Sequence, residues 1–187
     1  MKRIFWGATI TIGIMVAAWI AASVPSRAAD QVDRVARGKY LVEGIGCSDC
    51  HTPKKMGPQG MELDTTRLLA GHPEGTPLPE APTGQSAWAI AATGDLTAWT
   101  GPWGVSYAAN LTPDQNTGLG IWTEDMFVSA IRKGRHMGVS RPILPPMPWW
   151  VFRNLTDEDL KSIFAYLRSI PPVHNRVPDP IIREETH

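Results

Sequence analysis

The chain has 187 residues, 43% of them hydrophobic, with 17 glycines and 17 prolines, which suits one globular domain with long irregular connections. Its 18 basic side chains balance 18 acidic ones, and from Ala28 onward the ratio is 15 to 18 because Lys2, Arg3 and Arg27 fall earlier. That balance gives no ground for nucleic acid as a partner.

Lys2 and Arg3 precede an uncharged run, and its apolar part, Ile4 to Val24, is 21 residues long. This exceeds the ~7–15 of a signal-peptide core and approaches the ~20 that cross a bilayer. Pro25, Ser26 and Ala28 have the pattern of a cut site. Residues 1–29 therefore read as a signal peptide or an N-terminal membrane anchor, with membrane association through residues 4–24 in the second case. Either way the positive-inside rule puts everything after Asp30 on the exported side, the periplasmic side of a bacterial inner membrane, anchored or soluble.

From Gln31 the segment QVDRVARGKYLVEGIG has apolar residues at helical spacing and ends on Gly44 and Gly46. It delivers the chain to CSDCHT at 47–52. Residues 56–109 are too rich in Gly and Pro for a long helix, and alternation in LTAW and GVSY predicts a short hairpin within about 87–107. A helix comes next at TEDMFVSAIRKG, capped by Thr123 and closed by Gly134. After the Pro-rich ILPPMPWW comes the clearest helix, with Thr156 as cap, three acids in the first turn, and Pro171 as its stop. The Pro-interrupted tail reads as an extended strap or a loose end. Asn110 and Asn154 both open NLT, but each precedes a turn or helix start, where local capping explains them.

Two cysteines spaced as CxxC serve three chemistries. A redox dithiol sits at a helix start after a strand, in an alternating strand and helix pattern; here a helix comes before and no alternation comes after. Structural zinc needs four ligands, and His72, His136, His174 and His187 stand singly. C-x-x-C-H is the attachment signature of haem c: Cys47 and Cys50 add to the two vinyl groups, and His51 falls under the iron. With the thiols so used, an exported chain needs no disulfide from its only two cysteines.

GKYLVEGIG before CSDCHTP, an isolated Met in a Pro-rich loop, and a terminal helix ending AYLRSIPP together resemble the class I c-type cytochromes. The likeness runs from about Gln31 to Pro172, apart from the long insertion at 56–109. It implies a mostly α, cytochrome c-like domain over residues 30–187, built around one covalent haem, with that irregular insertion carrying the hairpin. It also implies that Gly38 meets an aromatic residue, Tyr166, where the first and last helices cross. A narrower segment, SYAANLTPDQNTGLGIWTEDMFVSAIRKGRH, is similar to cytochrome c subunits of quinoprotein-type membrane dehydrogenases. Those usually carry three haem motifs; this sequence carries one.

For the sixth iron ligand Met147 is expected, because Pro145, Pro146 and Pro148 stiffen its loop and hold a weak thioether ligand at small entropic cost. It also precedes the last helix, as in the family. His72 is the rival; Met56, Met61 and Met137 are formal candidates, His136 is a candidate only for flanking the haem edge, and Met126 belongs to a helix core. Trp149, Trp150, Tyr107 and Trp122 are candidate walls for the haem and Arg153 a candidate propionate partner, against plain packing as the other reading. The metal ligands expected are thus His51 and Met147, the cofactor-binding set Cys47, Cys50, His51 and Met147, and no catalytic residue. The function implied is one-electron transfer, not catalysis, between a membrane or periplasmic dehydrogenase or reductase and a terminal acceptor, with residues 56–109 as a docking surface. The alternative is a haem enzyme or gas sensor with an open sixth position.

Overall fold

The structure, a computed structural model, describes residues 27–80 and 89–183. Residues 1–26 of the expected export segment lie outside the described residues, and its last three are the start of a helix. The chain divides into Met1–Asp33 and Arg34–His187, and the first unit is described only where its helix begins. Among the described residues no helix is long and apolar enough to cross a membrane.

Helix α1, Arg27–Gly44, brings Leu41 and Val42 into the core at 7% and 1% exposure. The Ile45 amide still bonds the Leu41 carbonyl at 2.9 Å, and Gly46 at φ 75° turns the chain into the short helix α2, Cys47–His51. Helix α3, Glu124–Lys133, starts where Thr123 Oγ1 accepts from the Met126 amide at 3.2 Å and stops at Gly134, φ 63°. After the four-residue α4, Trp149–Phe152, helix α5 covers Asp157–Ser169. Thr156 caps α5 by accepting from the Asp159 amide at 3.1 Å.

Burial at 3.6-residue spacing sorts these helices into one core: Leu41 and Val42 of α1, Phe127 and Ile131 of α3, and Leu160, Ile163, Phe164 and Leu167 of α5. Phe127 and Phe164 pack at 5.4 Å between centroids. The α1–α5 crossing runs over Gly38, where a Cβ would stand 1.9 Å from the Ser162 carbonyl oxygen and 2.8 Å from Tyr166 Cβ. Gly38 and Tyr166 therefore meet as expected. Glu124 ties the three long helices at the surface, pairing with Arg34 at 3.4 Å and Lys161 at 3.5 Å; exposed pairs of this kind contribute little.

The helical core is accompanied by more sheet than one hairpin. Strands β1, Lys54–Gly57, and β2, Gly60–Leu63, form a hairpin directly after the CSDCH helix, with Met56 opposite Met61. A second, antiparallel sheet has the order β3-β4-β5-β6: Ala91–Ala92, Ala98–Gly101, Gly104–Tyr107 and Ile181–Ile182. Its β4–β5 hairpin falls where alternation placed one. The edge strand β6 comes from the tail, which crosses Gly104 so closely that a Cβ there would lie 1.9 Å from the Ile181 carbonyl oxygen. The tail is thus a strap. Asn175, 1% exposed, fastens it: Nδ2 donates to the carbonyls of Ala70 (2.6 Å) and His72 (2.8 Å), while Oδ1 accepts from Arg67 and from the Glu74 amide, both at 2.8 Å.

Candidate cofactor site

Immediately after α2 the chain is pinned through its backbone. The His51 carbonyl accepts from the Gly71 amide at 2.8 Å, and Thr52 Oγ1 accepts from the Leu69 amide at 2.9 Å. These bonds hold the CSDCH turn against the 69–72 loop and orient the His51 ring.

That ring is buried, and its Nδ1 lies 2.8 Å from the Ala109 carbonyl oxygen. A carbonyl only accepts, so Nδ1 carries the proton and the Nε2 lone pair is left to face a ligand. Burial lowers the basicity of His51 and so favours the neutral ring, while the bond to Ala109 acts in the opposite sense and only partly offsets it. A neutral imidazole oriented by a carbonyl at its other nitrogen is the arrangement that metal-bound histidines use.

His51, Cys47 and Cys50 share one wall of a mostly apolar cavity of about 450 Å³. The core helices supply another part of its lining through Phe127, Ile131, Leu160, Ile163 and Leu167, and strand β5 adds Ser106 and Tyr107. The loop 143–148 closes it with Ile143, Leu144, Pro146 and Met147. Ser106 Oγ donates to the Pro145 carbonyl at 2.6 Å, which ties that loop to the sheet. His136 and Arg141 also reach this lining.

The two thiols are free, and burial raises both; that of Cys47 is pushed up to about 11. A redox dithiol needs the opposite, a thiol acidified by its surroundings. Among the described residues no three His, Cys, Asp or Glu side chains converge as a metal cluster would require. The residues present do suit haem c. The volume lies within the ~300–1,000 Å³ of cofactor sites, the lining is mostly apolar, and Cys47, Cys50 and His51 all line the same space.

The rival ligand His72 is placed elsewhere. It is 1% exposed, does not line the cavity, and bonds Thr97 Oγ1 through Nδ1 at 2.8 Å, while Thr97 in turn donates to Asp95 at 2.8 Å. Its ring packs on Tyr107, 5.1 Å between centroids. Met56 and Met61 are 80% and 55% exposed on the β1–β2 hairpin. Tyr107 and Trp122 do line the cavity; Trp149, Trp150 and Arg153 do not, and Arg153 lies over the Trp149 ring at 5.9 Å.

Sequence reasoning passed over Ala109, Ser106 and Arg141 as site residues. A backbone carbonyl leaves no side-chain signal, and a serine or arginine acquires its role only through what the fold sets beside it. Asn110 does cap its turn, accepting from the Thr112 amide at 3.0 Å, and it also donates to the Val173 carbonyl of the strap at 2.9 Å.

No family model matches the chain. It is 39% identical over 77 residues to a nicotinate dehydrogenase subunit of Pseudomonas putida, a match covering 41% of this chain and 6% of that protein. With the fructose dehydrogenase cytochrome subunit of Gluconobacter japonicus it shares 29% identity over 150 residues, 80% of this chain and 24% of the relative. With the alcohol dehydrogenase (quinone) cytochrome c subunit of Gluconacetobacter polyoxogenes it shares 32% over 142 residues, 74% of this chain and 25% of the relative. The chain thus spans about a quarter of the length of these two cytochrome subunits. Similarity over most of its own length to cytochrome c subunits of dehydrogenases supports placing this chain in the cytochrome c family.

Proposed function

We propose that this chain carries a single haem c, attached through Cys47 and Cys50 and ligated by His51 and Met147, and that it moves single electrons for a dehydrogenase. The observation that carries the reading is the meeting of all four side chains on one apolar cavity, with the His51 proton committed to Ala109. Haem c bound there would supply a one-electron iron couple, tuned upward by a His/Met pair relative to two histidines. The protein's own part is to orient His51 through Ala109, to hold Met147 on a loop fastened by Ser106, and to keep water from the iron with the apolar side chains of α3 and α5. With His51 and Met147 both holding the iron, small molecules would have no access to it, so the chain would act as a carrier rather than as a catalyst, as the naming of its relatives as cytochrome subunits also supports.

The partners are a membrane or periplasmic dehydrogenase as donor and a terminal acceptor. The location is the periplasmic side of the inner membrane, reached through the segment 1–29. The test is expression with the haem-attachment machinery, then intact mass and visible spectroscopy. The expected result is one haem adduct, lost on replacing both cysteines by Ala, and a methionine-to-iron charge-transfer band in the oxidised protein that disappears in Met147→Ala. High-spin iron that binds CO readily in the wild type would reject electron transfer and assign an open-iron enzyme or sensor.

A further inference from the structure

The chain is neutral overall, yet its charge is segregated. Between Asp125 and Asp157 there is no carboxylate, while Arg132, Lys133, Arg135, Arg141 and Arg153 fall in that stretch together with His136. The same stretch contains Met147 and the loop that closes the cavity.

These residues fold side by side. Gly134 packs under the Trp149 ring, where a Cβ would stand 2.3 Å from it, Arg135 pairs in a bridge with Pro142, and Arg132 donates to the Arg153 carbonyl. Arg132 is neutralised by Asp157. Among the described residues Lys133, Arg135, Arg141 and Arg153 have no carboxylate within ion-pair distance; the charge of Asp179 acts on His136. Apolar side chains are exposed between the cations: Val139 at 77%, Val151 at 54% and Trp150 at 48%.

A cluster of like charges around exposed apolar groups is a cost to the isolated molecule that a complementary surface removes. We propose that this face docks a redox protein presenting carboxylates around an apolar centre, so that the electron crosses on the Met147 side of the cavity. The proposal rests on the electron-carrier reading above. An anionic lipid surface would be drawn by the same charges, but it would seat the cavity wall against lipid and close the approach of a redox partner. The β1–β2 hairpin, part of the insertion considered for docking, shows Met56 and Met61 but has its Lys55 already paired with Asp64 at 3.9 Å.

The test uses the haem-loaded full chain and two probes, ferricyanide and a small acidic blue-copper protein. Lys133→Glu/Arg135→Glu is compared with Lys39→Glu/Lys55→Glu, which changes net charge equally. Oxidation by the blue-copper protein at low salt is expected to fall about tenfold in the first variant and to lose most of its salt dependence, with the haem spectrum and reduction potential unchanged. The second variant is expected to fall less than twofold. Equal losses in both, or none in either, would overturn the docking face while leaving the carrier reading in place. A wild type inert toward ferricyanide would remove the carrier reading and the docking face with it. Wild-type binding to phosphatidylglycerol vesicles that the first variant abolishes would give the face to a membrane instead.

Discussion

Gly38→Ala sets two opposing terms against each other at the crossing of α1 and α5. Alanine favours an exposed helix interior over glycine by about 1 kcal/mol. Here its Cβ would stand 1.9 Å from the Ser162 carbonyl oxygen, whereas carbon and oxygen settle at about 3.3 Å. The helices must part by roughly the difference, about 1.4 Å, and a gap of ~0.5–1 Å already forfeits a quarter to a half of a dispersion contact. The contacts at stake join Leu41 and Val42 to the α5 face that carries Ile163 and Leu167. Overpacking of this kind costs about 1–3 kcal/mol and occasionally more. The upper end applies, because the obstacle is backbone rather than a side chain that can swing away. Net of helix propensity, the variant should lose about 2 kcal/mol, which for a chain of this size lowers Tm by roughly 4–8 °C. Thermal and urea unfolding of the haem-loaded protein measure it. Gly44→Ala is the control: it has no neighbour within 4 Å and should be neutral or slightly stabilising. A Gly38→Ala protein as stable as the wild type would refute the close crossing.

Asn175→Ala should release the strap. It orphans the buried Ala70 and His72 carbonyls and the Glu74 amide, at about 2–4 kcal/mol in all; limited proteolysis should then cut in the 170s while the helical core survives, and an unchanged digestion pattern would sink the idea. His72 makes stability depend on pH. Burial lowers its pKa below 6.5, outweighing the pull of Asp95, so its contribution is complete above the unfolded value and is lost as pH falls through the folded one. Wild-type stability should therefore decline from about pH 6.5 downward. In His72→Asn, whose amide can still donate to Thr97, that part of the decline should vanish in urea titrations at pH 7 and 5.5; equal declines would show that other groups carry it.

How much of this was legible before folding varies with the range of the interaction. The caps at Thr123 and Thr156, the stops at Gly134 and Pro171, and the apolar stripes of α3 and α5 depend on neighbours within a turn or two, and each is found where the residues imply it. The β4–β5 hairpin was visible because four-residue strands still alternate. The β1–β2 hairpin carries no such alternation, and only the GPQG turn between Met56 and Met61 marks it in the sequence. The two-residue strands β3 and β6 are too short for any period to show.

At the site the division is the same. CSDCH has the spacing and the adjacent histidine that haem attachment at two vinyl groups requires, but a CxxC pair also serves dithiol and zinc chemistry, and it is the flanking helices and the Pro-rich Met147 loop that favour haem. The chain alone also proposed Met147, from the stiffness of its loop. It left His72 as a competitor, because an imidazole in a loop looks alike whether it faces a cavity or a threonine; only the fold, by closing the Asp95–Thr97 turn over His72, took it off the wall. The orientation of His51 by Ala109, 58 residues away, the fastening of the Met147 loop by Ser106, and the gathering beside that loop of cations that have no ion-pair partner among the described residues are likewise properties of three dimensions. Local pattern determined which groups are available, and tertiary packing decided which of them meet, because contacts between distant segments are selected by the whole core rather than by either segment.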